Sequence, residues 1–442
     1  MFAWLQKNVP FYGSALFPGS WPLRLDGFNQ LQKRGVEITE LPPNEECHWS
    51  LHLKHPEWGE ATLMSSRNLP PPPSEIVEMD ATLNQDEVEE IKKCGSMVQL
   101  MMESRKNNIL RDRKNALFFL NAILGDDGVA AMDHVGLKIW SREALAIETA
   151  HAADLDVEGI MTYHLVTDDH GDRGVWLDSH GLGEIGFFDF DILNPHEDIN
   201  HLAQDVLRCL AFRSLEGDLK PGAVLGVFAH GQLRCVSAED FMAKSSAADR
   251  ALREDGDGDH LNRRVVLCDA KGGLFSGLFG SKPQPAKILS DPYDERNLIQ
   301  FSTEATELMS LRARSSFDLF TMLVDEFASL KGDHPKFEFM PAVKIGYATD
   351  DAKKESDREH MWFHFHGMRE GQIDATLLNQ PFNIARLKEG DRGLHTVDLL
   401  TDWTIFNPAG PITPSSSRPL RFIRRNLDKL CAALNAPEPE SA

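Results

Sequence analysis

Residues 337–349, FEFMPAVKIGYAT, and 359–368, EHMWFHFHGM, decide the class of the fold. Apolar side chains alternate with polar ones in both, the period-two pattern of strands with one buried face. The charged run DDAKKESDR at 350–358 reads as the turn between them. QIDATLL at 372–378 and LHTVDLLTDWTIF at 394–406 add further short strands, punctuated by Asn379-Gln380-Pro381 and by Lys388-Glu389-Gly390-Asp391. Just upstream, Leu308, Met309, Phe317, Phe320, Leu323, Val324, Phe327 and Leu330 recur at steps of three and four, predicting one long amphipathic helix from about 303 to 331. The expected C-terminal architecture is therefore α+β: a small coiled sheet or barrel packed by a long helix. A final helix at 417–434 carries Leu420, Ile423, Leu427, Leu430 and Leu434 on one face and basic residues on the other.

Working outward, KGGLFSGLFGSKPQPAK at 271–287 reads as a flexible linker, because Gly, Ser and Pro break both helix and strand. The expected organisation is a small, mostly β subdomain at 1–70, an α+β domain at 75–270 with a mixed or antiparallel sheet, the linker, and a second α+β or barrel domain at 288–435. Trp49, Leu51 and Leu53 alternate as on a strand, with Ala61 and Leu63 on its partner after a Pro56–Gly59 turn. The proline run at 70–73 cannot enter a helix or a central strand. Asn84 with Glu87 three residues on predicts a capped helix start. Val88, Ile91, Val98, Met101 and Met102 extend the helical spacing past 100. ALFFLNAIL at 116–124 predicts a helix stopped at Gly125, and VAAM, GLKIW, MTYHLVT, VWLDSHG and FFDFDIL read as strands. Asn194, Pro195 and Glu197 predict the start of another helix, whose buried stripe is Ile199, Leu202, Ala203, Val206 and Leu210. GAVLGVFAHGQLRCV and NRRVVLCDA close the domain as strands.

Composition bounds the function. The 442 residues hold 46 Lys and Arg against 68 Asp and Glu, a net charge of −22. Such a field repels phosphate backbones, so no nucleic-acid partner is expected. No apolar run approaches the roughly 20 residues of a membrane span, and residues 1–20 lack a secretory pattern. Six widely spaced cysteines with no CxxC fit reduced thiols, and a cytoplasmic location follows as the expectation.

Glu359-His360-x-Trp362, Leu377-Leu378-Asn379-x-Pro381, Leu387-Lys388-x-Gly390-Asp391 and Asp402-Trp403, with Ala313-Arg314 and Phe317 before them, resemble the YegJ-like bacterial domain of unknown function. The resemblance covers about 295–410. This chain departs from the pattern at His364 and His366 and in its proline-rich 404–417 tail. The family implies no assigned activity; related small domains act as immunity or interaction proteins in bacterial toxin systems. WGEATLM and WLDSHGLGEIGFFDFDIL give the N-terminal half a fainter likeness to other uncharacterised bacterial domains found beside this one, with no catalytic residues attached.

Candidate chemistry is sparse. His360, His364 and His366 share a strand face with Trp362, because side chains two apart point the same way. His360, Trp362 and Trp403 are the expected ligand-binding residues. His364 and His366, near Glu359 or Asp402, are the metal ligands of an alternative reading. Asp189 and Asp191 would share a wet acidic strand face, and GLGEIG at 181–186 runs into a strand, so turn glycines explain it better than a phosphate loop. DGDGDH at 255–260 fails the calcium-loop pattern at its sixth and twelfth positions, His260 and Val266. Two basic clusters, Arg105, Lys106, Arg111, Arg113 and Lys114, and Arg418, Arg421, Arg424, Arg425 and Lys429, read as solvated or internally neutralised faces. No GxSxG, HExxH or Walker loop occurs, so no catalytic residue and no cofactor is expected. The expected function is a non-enzymatic, bacterial, immunity-like binding protein; the alternative is a metal-dependent hydrolase on the His364/His366 face. Its protein partner would be basic, or acidic where it meets the C-terminal helix.

Overall fold

The computed structural model describes residues 8–19, 29–42, 45, 47–66, 70–167, 175–195, 199–228, 231–251, 253, 263–270, 282–290, 299, 301–354 and 357–435. The expected linker's glycine-rich part, 271–281, the DGDGDH stretch and GDRG at 171–174, which the sequence reads as a turn, lie outside them. The chain is α+β and divides into two units, one of Met1–Asp80, Glu90–Trp140 and Val157–Ser302, the other of Ala81–Glu89, Ser141–Asp156 and Thr303–Ala442. Among the described residues, no helix is long and apolar enough to cross a membrane.

The first sheet holds β1 (Asn8–Phe17), β2 (Glu37–Glu40), β3 (Cys47–His55), β4 (Gly59–Ser66), β5 (Ser96–Arg105), β6 (Ala130–Asp133) and β7 (Lys138–Ser141), in the order β2-β3-β4-β5-β1-β6-β7. The β3–β4 hairpin forms where the alternation predicted it. Strands from 1–70 share this sheet with strands from 96–141, because β5 lies between β4 and β1. Residues 96–105 are thus a strand and not the continuation of a helix. Val98, Leu100 and Ser104 are fully buried at period two, and β5 pairs with β1 over ten residues from Asn8↔Arg105 to Phe17↔Ser96. Met, Leu and Gln allow either structure, and the neighbouring strands decide. The helix Ile109–Leu124 packs on β1 and β5 and ends at Gly125, whose φ of +48° favours glycine.

The second sheet holds β8 (Thr162–Thr167), β9 (Val175–His180), β10 (Asp189–Leu193), β11 (Val224–Phe228), β12 (Gly231–Ser237) and β13 (Arg264–Asp269), in the order β11-β12-β13-β10-β9-β8. It is mixed, since β10 and β13 run parallel. Asn194 adopts φ +53°, and the helix it was expected to cap is described from Ile199. Val206 and Leu210 of the expected stripe are buried; the side chains of 199–204 lie outside the description.

The second unit holds β14 (Met340–Ala348), β15 (Arg358–Arg369), β16 (Gln372–Leu377), β17 (Arg392–His395) and β18 (Leu400–Phe406). Their antiparallel order β17-β16-β15-β14-β18 is an open sheet, the first of the two expected forms, and not a closed barrel. The single long helix is instead two, Thr303–Ser315 and Phe317–Asp333, broken where Ser316 leaves helical geometry (φ −104°, ψ 11°). Phe317, Phe320, Leu323 and Phe327 then pack with Val343, Ile345, Met361, Phe363, Phe365 and Trp403.

Two inserted segments are tied to this core by buried ion pairs. Arg421, on the C-terminal helix Arg418–Asn435, reaches Glu87 with Nε at 2.7 Å from Oε1. Glu87 also takes the Ser141 hydroxyl and the Asn84 N–H (2.9 Å), the capping bond that the sequence predicted. Arg312 pairs in the same way with Glu148, Nη1 to Oε1 at 3.0 Å. Burial pulls the Glu87 pKa upward, but Arg421, Ser141 and Asn84 outweigh it and hold the carboxyl below its ordinary range. Arg421→Met leaves that carboxylate buried without its cation and should cost about 3–5 kcal/mol, whereas Glu87→Leu with Arg421→Met should cost far less. Urea unfolding of the three proteins checks this. Because the Glu87 pKa is depressed in the fold, its contribution is present at neutral pH and is lost as pH falls below about 4.

Candidate functional site

The open sheet of the second unit has two unlike faces. On β15, Met361, Phe363 and Phe365 point into the helices, so His360, Trp362, His364 and His366 lie on the other face. The register sets their neighbours: Gly346 opposite His360, Lys344 opposite Trp362, and Ala342 and Thr376 on either side of His364. Lys344 also faces Asp402 on β18, and its ammonium lies 5.4 Å from the Trp362 ring centre, within cation–π range. Gly346 leaves room for the His360 ring, since a Cβ there would stand 3.0 Å from its Cε1. The ring settles with Nδ1 3.1 Å from Thr401 Oγ1. Trp403, the third expected ligand-binding residue, is on the opposite face: it is 0% exposed, and its Nε1 donates to Ser316 Oγ at 3.0 Å. The sheet therefore brings His360 and Trp362 together and separates Trp403 from them, because Trp403 is one residue out of step with Asp402.

His364 and His366 have ring centres 4.8 Å apart, brought close by a bulge between Phe365 and Gly367. His366 Nε2 engages Thr376 Oγ1 at 2.8 Å, and the nearby Asp374 is held bidentately by Arg392 at 2.8 and 2.9 Å. Glu359 is turned to another task. Its two oxygens accept the N–H groups of Phe382 and Asn383, each at 2.7 Å. Asp350 accepts from Ala385 (2.7 Å) and pairs with Arg386 (3.1 Å). Pro381 and Ile384 are buried on either side, yet Phe382 between them is 84% exposed. Carboxylates and core anchors thus hold an aromatic ring in water.

The motif Leu387-Lys388-x-Gly390-Asp391 is a fixing of the same kind. Gly390 (φ +86°) and Asp391 shape the turn before β17, with Gly390 N–H donating to the Leu377 carbonyl and Asp391 accepting from Lys388 N–H.

Asp189 and Asp191, expected on a wet face, are buried on a wholly buried strand. Asp191 pairs with Arg253 (2.6 Å) and Arg264 (2.7 Å). Asp189 accepts the Gly183 N–H and the Ser179 hydroxyl, and burial pushes its pKa up to about 6. GLGEIG is a turn, with Gly181 at φ +113° and Gly186 at +85°. The first basic cluster is largely consumed internally: Arg105 grips Asp112, Lys106 donates to the Gly186 carbonyl, and Arg113 meets Asp133. In the second cluster, Arg424 pairs with Glu326 and Glu143 beside the Arg421–Glu87 pair.

A constellation absent from the sequence reading is His164, Asp178 and His180, whose ligand atoms lie within 4.8 Å of one another. Burial opposes a charged His180, but the Asp178 carboxylate outweighs it and raises the imidazole pKa. Asp178 and His180 two residues apart in VWLDSHG were a visible signal, as was the strand MTYHLVT that carries His164; the register that sets His164 opposite Asp178 was not.

An α+β protein with open sheets and one polar, histidine-bearing face is what the fold and site define. Residues 309–412, about a quarter of the chain, match the family described as "Uncharacterized protein conserved in bacteria (DUF2314)". No curated protein and no solved structure matches the chain.

Burial, then the charges of Lys344 and Arg358, press the His360 pKa down to about 4. The neutral ring is favoured in the fold, so its contribution is complete above the ordinary imidazole pKa and declines as pH falls from about 6.5 toward 4, by up to roughly 3 kcal/mol. Chemical denaturation at pH 7 and 4.5 should show a larger loss for the wild type than for His360→Gln. Equal losses would assign the effect to other groups.

Proposed function

We propose that this is a non-enzymatic binding protein whose C-terminal unit recognises a protein partner through Phe382, with His360 and Trp362 as further contacts. The observation that carries the reading is the Phe382 ring, 84% exposed in a loop latched by Glu359 and Asp350. An ordered loop loses little conformational entropy on association, and a large side chain entering a desolvated pocket is the usual setting of a binding hot spot. The net charge of −22 supports a basic partner, drawn in by long-range attraction. The resemblance of the C-terminal motifs to YegJ-like domains, and the fainter likeness of the N-terminal half to domains found beside them, fit an immunity-like role in the bacterial cytoplasm. The alternative, a metal-dependent hydrolase on His364 and His366, draws support from their ring separation of 4.8 Å. It also needs a third ligand, and Asp374 is already engaged by Arg392.

A photo-crosslinking phenylalanine analogue placed at 382 in the bacterial host should give one discrete protein adduct, absent when the analogue replaces the exposed Met322. Phe382→Ala should leave the unfolding midpoint unchanged and weaken that complex by about 2 kcal/mol or more. No adduct specific to position 382 would refute the reading.

A further inference from the structure

We propose that His164, Asp178 and His180 bind a divalent transition-metal ion of the zinc class. His164 on β8 stands directly opposite Asp178 on β9, and His180 follows Asp178 by two residues, so the pleat turns all three toward one face. Among the described residues they are the one group of three His, Cys, Asp or Glu side chains with ligand atoms this close. Two imidazoles and a carboxylate suit zinc or iron(II), and three protein ligands leave a coordination position open.

With one ligand atom from each residue the set lies within 4.8 Å of one another, so an ion must draw the ligands together. Bonds of about 2.1 Å place the ligand atoms of a tetrahedral ion about 3.4 Å apart. His180 Nε2 lies 3.0 Å from Asp178 Oδ2, and His164 Nδ1 lies 3.7 Å from Oδ1. The two rings are 22% and 19% exposed, while the carboxylate is 1% exposed. Arg264 fixes it: Nη1 stands 3.4 Å from Asp178 Oδ2 and 2.7 Å from Asp191 Oδ1, an outer-shell donor whose charge is offset by Asp191. Strand β8 is the edge of its sheet, so an ion joining His164 to β9 would staple that edge.

The full chain, stripped with a chelator and dialysed free of it, is titrated with Zn2+ by calorimetry and with Co2+ by visible absorption. Wild type should bind about one equivalent of Zn2+ and unfold at a higher temperature with it. His164→Ala and His180→Ala should each lose more than the roughly 10- to 100-fold in affinity that outer-shell changes cost, and with it the Co2+ spectrum. The H364A/H366A double variant should bind as the wild type does. Circular dichroism of each variant confirms the fold, and His164, on the edge strand, is the substitution least able to disturb it. Less than about a tenth of an equivalent bound by the wild type overturns the proposal. So does wild-type affinity in folded His164→Ala, or binding lost only in H364A/H366A.

Discussion

The second unit depends on buried arginine–carboxylate pairs. Glu87 and Arg421 stand 334 positions apart in the chain, and Glu148 and Arg312 stand 164 apart. Each pair brings a short inserted segment against the helices of the C-terminal region. An ionised carboxylate in such a place is tolerated only when its cation and hydrogen-bond donors arrive with it. The Glu87 site supplies Arg421, the Ser141 hydroxyl and the Asn84 N–H together, and these come from three separate stretches of the chain. None of the three stretches completes that site alone.

With that frame in place, the open sheet divides its side chains by parity. One face carries phenylalanines, Trp403 and aliphatic residues against the helices, and the other carries His360, Trp362, His364 and His366 with Lys344. Polar residues that could have belonged to a site are often spent on geometry. Glu359 and Asp350 hold the loop that presents Phe382, and Asp374 holds Arg392. What these fixings leave exposed is the Phe382 ring, beside a sheet face that carries three histidines.

Much of the fold was legible. The β3–β4 hairpin follows from the alternation of Trp49, Leu51 and Leu53, and the Asn84–Glu87 cap follows from spacing alone, since both depend on near neighbours. The strand at 96–105 was not legible, because Met97, Val98, Met101 and Met102 satisfy helical and strand periods equally over so short a run. The break at Ser316 was hidden for a related reason: two successive helices keep the same three-and-four rhythm. Asp189 and Asp191 were placed on a solvated face because local alternation cannot reveal Arg253 and Arg264, more than 60 residues away on average, waiting to neutralise them.

By itself the sequence determined the α+β class, the β3–β4 hairpin, the Asn84–Glu87 cap and the pleat that puts His360, Trp362, His364 and His366 on one side of β15. These follow from propensity and periodicity, which act within about one turn or one strand. Only the tertiary structure decided which strands lie side by side, and with that everything a site requires. It put Trp403 in the core one position from the half-buried Asp402, fixed Phe382 in water, and set His164 across from Asp178, two residues before His180. Strand pairing is chosen by burial and charge compensation over the whole chain, so no local window of sequence contains it.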